Sequence, residues 1–424
     1  MILTLVQILF IILILISIFR KEFSVAIYII FLPLNTILPS SYNVLGVISY
    51  PTIISIITFY HLLTWRDYQS LTITRKTAIY ISAIFVSYII YSNFRHAYFK
   101  ILPDYRDFEN YNPIIENLRE IIKWGPIILL ILKIDSEFFE RVLYKGILIS
   151  VIILVFSGIF AAFLSTLGFK VGVSESFEYQ VHINMPVYMR NSGFLWEGDF
   201  NIMGAFFNLI LAFTLTYFDH NKFFKKPEVL LTLIFTFLGV ILTGSRMAFI
   251  TLTIIILVFL LQIRSFKLMS RYFLLILIAI LFLYSLGMLD FILERFHMQN
   301  SLSELSISTQ YSRTNRWISF FHYSTSRIDR FLFGYNSIHY FIPGQFIDPH
   351  NFYLRMLYYG GIIFVLLIVY QFSKLTYIAL TKKFRFSMLL VLIPCFISSM
   401  IISQNVWLYY LLLIISINHL PSES

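Results

Sequence analysis

Three short polar stretches interrupt an otherwise oily chain, and each carries residues able to do chemistry. The sharpest is Leu242-Thr243-Gly244-Ser245-Arg246, a hairpin between two apolar runs. An arginine so close to the membrane costs a few kcal/mol or more unless it is paired or hydrated. Its guanidinium is always charged and offers a planar fork of donors that fits phosphate, so Arg246 reads as an anion clamp. The plainer alternative is a side chain snorkelling to the interface. A second stretch runs from Arg190 through Gly193, Glu197 and Asp199 to Gly204 and leads into an apolar run at 200–218. Arg190 either supports the same anion or is simply solvated. Glu197 suits a general base or a ligand for an acceptor hydroxyl; with Asp199 it equally suits a local salt bridge or a helix cap. The third stretch is Pro349-His350-Asn351, followed by Gly360-Gly361. His350 can hold or release a proton near neutrality, or sit as a capped interfacial histidine. Asn351 suits an N-cap, and the glycines permit close helix packing.

The elements that must position these residues are membrane spans. The chain has 424 residues, 58% hydrophobic and 13% charged, far below the roughly 25% charged residues of a soluble protein. Its mean hydropathy is +0.80. Apolar runs occur at 2–19, 24–40, 44–64, 77–94, 117–133, 146–168, 200–218, 229–244, 247–263, 272–293, 352–372, 386–403 and 405–418, each near the ~20 residues needed to cross a bilayer. The expected fold is an all-α polytopic integral membrane protein with about 12–13 transmembrane helices, forming one membrane domain over 1–424. Pro33, Pro39 and Pro51 make the second or third run a candidate broken or re-entrant helix. The first run lacks a basic leader and a small-residue cleavage site, so it reads as a span and not as a removed signal.

Basic clusters at Arg20-Lys21, Arg66 with Arg75-Lys76, Lys133 with Arg141 and Lys145, Lys222 with Lys225-Lys226, Arg264 to Arg271, and Lys382 to Arg385 fall in every second loop. Placing them all in the cytoplasm gives one consistent topology with a cytoplasmic carboxyl terminus. All three chemical stretches then face outward, as does a long loop over 294–351. This assignment also accounts for the net charge of +10, without a nucleic-acid partner. Cys395 is the single cysteine, which excludes an intrachain disulfide and a cysteine-based metal site. Asp104, Asp107 and Glu109 are a conceivable divalent-metal cluster, but Arg106 sits among them and a solvated face is the better reading. A P-loop, a dinucleotide glycine fingerprint and a His-Glu-x-x-His motif are all missing, so no cofactor and no metal is expected.

The order of these motifs resembles the O-antigen polymerase and O-antigen ligase superfamily. The matching residues are Arg190 with Gly193, Leu242 to Arg246, and His350-Asn351 with Gly361; Arg316-Trp317 and Phe333-Gly334-Tyr335 are also similar to family stretches. The likeness covers roughly residues 185–375. It departs from the pattern where Gly198 stands in place of a common proline, and where the last glycine of the Phe-Gly-x-Gly stretch is Ser337 or missing. The resemblance implies a GT-C-like architecture in a bacterial cytoplasmic (inner) membrane and metal-independent, inverting glycosyl transfer on its outer face. It implies a glycan donor on undecaprenyl pyrophosphate, with membrane lipid around it and a chain-length regulator as a further partner. In that reading Arg190 and Arg246 stabilise the diphosphate leaving group, and His350 is the base with Glu197 the runner-up. Arg313 and Arg316 face the glycan or the phosphates, and Tyr311, Trp317, Tyr335 and Tyr340 offer rings to stack on sugars. Glu197 tilts the expectation towards a polymerase of surface polysaccharide (O-antigen or capsule) over a ligase that uses lipid A core. A lipid-linked oligosaccharide flippase is the alternative of another class. It fits less well, because charge within the spans is sparse, Arg355 being the clearest case.

Overall fold

A computed structural model of the chain describes residues 2–32, 43–44, 48–65, 76, 79–80, 83, 87, 90, 113–133, 136–167, 200–218, 226–263, 265–285, 313–334, 341–342, 345–346, 351–382 and 412. Apart from two hairpins of two-residue strands, the regular elements described are helices. They fall into two compact units, the first comprising 1–147, 313–382 and 400–424, the second 148–312 and 383–399.

In the first unit, α1 (Ile2–Phe19) and α2 (Lys21–Phe31) are separated by an extended Arg20. A small hairpin pairs β1 (Asn43–Val44) with β2 (Ile48–Ser49). Next come α3 (Tyr50–Thr64) and α4 (Pro113–Lys133). The run expected as a span over 44–64 is therefore helical only from Tyr50, where Pro51 sits in the first turn and gives up no helical hydrogen bond. A short α5 (Ser136–Phe138) and a π-turn (Phe139–Leu143) lead into α6 (Tyr144–Thr166). Buried hydroxyls join α2 to α3: Ser24 Oγ lies 2.7 Å from Thr58 Oγ1, and Thr58 donates to the Ser24 carbonyl at 3.1 Å. In a low-dielectric interior such pairs satisfy groups that would otherwise be costly to bury.

The basic residues assigned to one side of the membrane gather at one end of this unit. Lys133 is buried, and its ammonium donates to the Leu62 and Trp65 carbonyls, closing the carboxyl end of α3. Lys21 lies 4.4 Å from the centre of the Trp65 ring, whose other neighbour is Phe138 at 5.0 Å. Arg141 reaches Glu22 at 2.7 Å. Segments far apart in sequence thus meet through Lys21, Lys133 and Arg141.

The second unit holds most of α6, with α7 (Phe200–Tyr217), α8 (Pro227–Thr243), α9 (Arg246–Gln262) and α10 (Phe266–Ser285). α7 is its core helix. Phe206, Leu209, Ile210, Ala212 and Phe213 are buried, as are the polar Asn208, Thr214 and Thr216. α10 is the opposite case. Phe273, Leu274, Leu275, Leu277, Ile278 and Leu281 are all exposed, so apolar side chains point outward over most of the helix, while Tyr272 is buried edge-on against Phe259. A helix that is apolar all round needs a protein core or a bilayer, and here no core surrounds it. α1 shows the same outward apolar surface at Leu9, Ile12 and Leu15. The fold is thus helical and compatible with a membrane protein. Among the described residues, the helix over Phe139–Phe160 (22 residues) is by itself long and apolar enough to cross, with shorter apolar helices at Tyr50–Thr64, Met203–Tyr217, Pro227–Thr243 and Met247–Gln262.

The remaining elements belong to the first unit. α11 (Arg313–Thr325), α12 (Ile328–Phe333) and a hairpin of β3 (Phe341–Ile342) with β4 (Gln345–Phe346) fold part of the stretch expected as a long loop over 294–351. α13 (Phe352–Lys382) follows, broken at Gly361. The expected spans 77–94, 386–403 and 405–418 lie almost wholly outside the described residues.

Candidate functional site

The turn between α8 and α9 is built by three residues. Gly244 ends α8 in the left-handed region (φ 56°, ψ 19°), which an L side chain rarely adopts. Ser245 is extended and caps α9, its Oγ accepting from the Ala248 N–H at 3.3 Å. Thr243 accepts from the Ser245 N–H at 3.3 Å while its hydroxyl donates to the Val240 carbonyl at 2.6 Å. Arg246 is then the first helical residue of α9. It stands at the end of the helix where the dipole and the first-turn N–H groups favour an anion.

α7 fixes this turn from the side. Asn208, fully buried, donates from Nδ2 to the Ala248 carbonyl at 2.9 Å. One turn earlier, Gly204 lies so near α9 that a Cβ added there would be 2.3 Å from the Ala248 Cβ. Gly204 and Asn208, four residues apart, form one helix face that seats the start of α9.

In the first unit, α11 carries Arg313, Arg316 and Trp317, the arginines close to one helical turn apart and the tryptophan half-buried. Its inner side packs on α13: Phe320 meets Tyr358 edge-on at 5.3 Å, and Tyr323 lies nearly parallel to Tyr358 at 6.1 Å. Arg330 of α12 stacks on Tyr323 at 4.9 Å and donates from Nη1 to Ser326 Oγ at 3.1 Å. Burial pushes the Tyr323 phenol above its ordinary value, and the Arg330 charge pulls part of that back. Arg327 grips Asp329 with two hydrogen bonds of 3.1 and 3.2 Å. Slight burial raises the Asp329 carboxyl, but the hydrogen bonds and charge of Arg327, with backbone donors, outweigh it and hold the group below the usual carboxylate range.

Two glycines set the approach of these helices. Gly334 (φ 70°, ψ −177°) ends α12, its N–H bonding the Arg330 carbonyl at 2.7 Å. Gly361 (φ 68°, ψ −173°) breaks α13, and a Cβ there would lie 2.3 Å from the Leu332 carbonyl oxygen. Both conformations are essentially reserved for glycine. Before the break, Asn351 caps α13 as expected, its Oδ1 accepting from Tyr353 N–H at 3.0 Å and Leu354 N–H at 3.2 Å. His350 therefore immediately precedes a capped helix start, as Arg246 immediately follows one.

Of the expected site residues, Arg246, Arg313, Arg316 and Trp317 have described backbone positions, the first in the second unit and the others in the first. Arg190, Glu197, Tyr335 and His350 lie outside the described residues, as do Asp104, Asp107 and Glu109. Among the described residues no group of three or more His, Cys, Asp or Glu is placed to hold a metal ion. The residues that the sequence reading missed are supports: Asn208, Tyr323 and Arg330. An asparagine alone in the apolar run of α7, four residues after a glycine, was the available signal for the first.

No curated protein and no solved structure matches the chain. A family model described as O-antigen ligase matches residues 231–370, a segment that contains both the Thr243–Arg246 turn and the Asn351–Gly361 helix start. Over that segment the chain is similar to the O-antigen ligase family, which supports its resemblance to the O-antigen ligase and polymerase superfamily, membrane proteins of polysaccharide biosynthesis.

Proposed function

We propose that this protein polymerises oligosaccharide repeat units carried on undecaprenyl pyrophosphate, by inverting, metal-independent glycosyl transfer at the outer face of a bacterial cytoplasmic membrane, which it crosses about 12–13 times. The observation that carries the reading is the family match over 231–370, with Arg246 at the positive end of α9 inside it. Breaking the bond from sugar to diphosphate moves negative charge onto the leaving phosphate. Arg246 meets that charge with a permanently charged guanidinium carried at a helix start, and Arg190 is the second cation. The acceptor hydroxyl attacks the anomeric carbon from the opposite face and gives its proton to His350, with Glu197 the alternative base. Arg313, Arg316, Trp317 and Tyr335 hold the glycan by charge and by ring stacking. Glu197 favours a polymerase. The match to a family described as O-antigen ligase favours the second reading, a ligase that passes the same donor to lipid A core.

The test is reconstitution with the lipid-linked repeat unit in the presence of chelator, read as a ladder of products on a gel. The wild type should give a ladder. Arg246→Ala should lower the rate by ~10²–10³-fold, the usual cost of removing a group that stabilises a developing charge. A wild-type protein that gives no ladder but loads glycan onto lipid A core is the ligase. One that does neither overturns the glycosyl-transfer reading.

A further inference from the structure

We infer that the outward face of α11 and α12 lies in the headgroup–acyl boundary of the membrane, making this helix pair an interfacial platform beside the span of α13. The inference does not depend on the glycosyl transfer proposed above. It starts from the length of α13. Counting back from the basic cluster Lys382-Lys383 at 1.5 Å per residue, a hydrocarbon thickness of about 30 Å is used up near Gly361. The exposed Ile363, Leu366, Val369 and Tyr370 then face lipid along that length. Gly361 is where α12 touches α13, with the Leu332 carbonyl 2.3 Å from where a Cβ would stand. α12 therefore sits level with the end of the span opposite Lys382, and α11 is tied to the same level through Phe320, Tyr323 and Tyr358.

At that level the outward side of the pair exposes apolar side chains next to the polar Ser319 and His322. α11 buries Phe320 and Ser324 and turns Ile318 (49% exposed) and Phe321 (51% exposed) the other way, three residues apart on one face. Ile328 opens α12 with 78% exposed. Arg327, exposed beside it, carries the charge that suits lipid phosphate. Apolar side chains with a basic neighbour, at the height of the headgroups and next to a lipid-facing helix, match an interfacial amphipathic helix. The occupant is lipid, because this face continues the lipid-facing surface of α13.

The single cysteine makes the test direct. On a Cys395→Ser background, Ile318→Cys, Phe321→Cys and Ile328→Cys would each carry an environment-sensitive fluorophore, with the full-length protein in lipid nanodiscs. Leu366→Cys supplies the lipid reference, and the fluorophore conjugated to a water-soluble thiol supplies the water reference. Headgroup-level spin-labelled lipid should quench the three labels at least ~2-fold more than the soluble conjugate, and aqueous iodide should quench them correspondingly less. Labels that behave like the soluble conjugate overturn the inference. Labels shielded from both quenchers also overturn it, since protein and not lipid would then cover the face. Neither result bears on whether the protein makes polysaccharide.

Discussion

The starts of α9 and α13 solve the same problem differently. Each must hold a chemistry-bearing residue next to a capped helix terminus: Arg246 just after Ser245, and His350 just before Asn351. At α9 the glycine comes before the cap. Gly244 only turns the chain, and the helix is held from outside by Gly204 and Asn208 of α7. At α13 the glycine comes after the cap. Gly361 breaks the helix, and the short segment between Asn351 and the break is held by α11 and α12. In the first arrangement the Ala248 methyl faces the Gly204 backbone, and in the second the Leu332 backbone faces the Gly361 backbone. They should therefore differ in whether a second substitution can repair them.

Gly361→Ala should have the largest effect on stability. The new methyl would meet the Leu332 carbonyl at 2.3 Å in a backbone conformation that disfavours any side chain. Strain and overpacking together come to about 3–5 kcal/mol. No truncation of a neighbouring side chain removes a carbonyl, so thermal unfolding in detergent should show a loss that substitutions at Leu332 do not restore. Gly204→Ala should cost less, about 1–3 kcal/mol, because the obstacle is the Ala248 methyl. The double change Gly204→Ala with Ala248→Gly moves that methyl to the other helix, and the two helix-propensity changes nearly cancel. Recovery of most of the lost stability is expected. No recovery would mean that the two helix starts are held in the same way after all.

How far the sequence could show this depends on the kind of signal. Two helices made of continuous apolar runs were legible almost to the residue, 200–218 becoming Phe200–Tyr217 and 229–244 becoming Pro227–Thr243, whereas the run at 272–293 forms a helix that already begins at Phe266. Their ends coincide with Gly, Ser or charged residues, so composition and capping agree. α11 was not legible as an element. Its buried side is only a few residues deep, Phe320 and Ser324 with Tyr323, and arginines and polar residues fill the rest, so it reads as loop. Asn351 was read correctly as a cap, because that role is local. Gly361 was read as a packing glycine, yet it also breaks the helix; a glycine that permits close approach and one that takes positive φ are the same letter. Asn208 needed a partner 40 residues away, the Ala248 carbonyl, which no local pattern announces.

The caps offer a finer contrast. Each is a side-chain oxygen bonded to first-turn N–H groups, a type of contact whose removal costs about 1 kcal/mol. Asn351 accepts at 3.0 and 3.2 Å, whereas the Ser245 cap bond to Ala248 is longer, 3.3 Å. Asn351→Ala should therefore destabilise more than Ser245→Ala in the same unfolding measurement. The reverse order would mean that the Thr243–Ser245 turn, and not the α13 cap, is the more tightly held of the two.

The smallest effect belongs to the pair Arg327–Asp329, and it checks what holds α12 in place. Arg327 is largely exposed and Asp329 partly so, hence solvent screens the attraction and Asp329→Asn should cost less than ~0.5 kcal/mol. Its pH dependence has a fixed sign. The folded carboxyl sits below its ordinary value, so the unfolded chain takes up the proton first as pH falls. The small contribution is complete above the unfolded value of about 4, and disappears as pH drops through the folded one. Wild type and Asp329→Asn should then converge at acid pH and differ slightly at neutral pH. The contact of Leu332 with Gly361 carries no charge and should not move over that range. A larger, salt-sensitive loss in Asp329→Asn at neutral pH would shift the holding role from backbone approach to surface charge, and the two helix starts would no longer differ as argued.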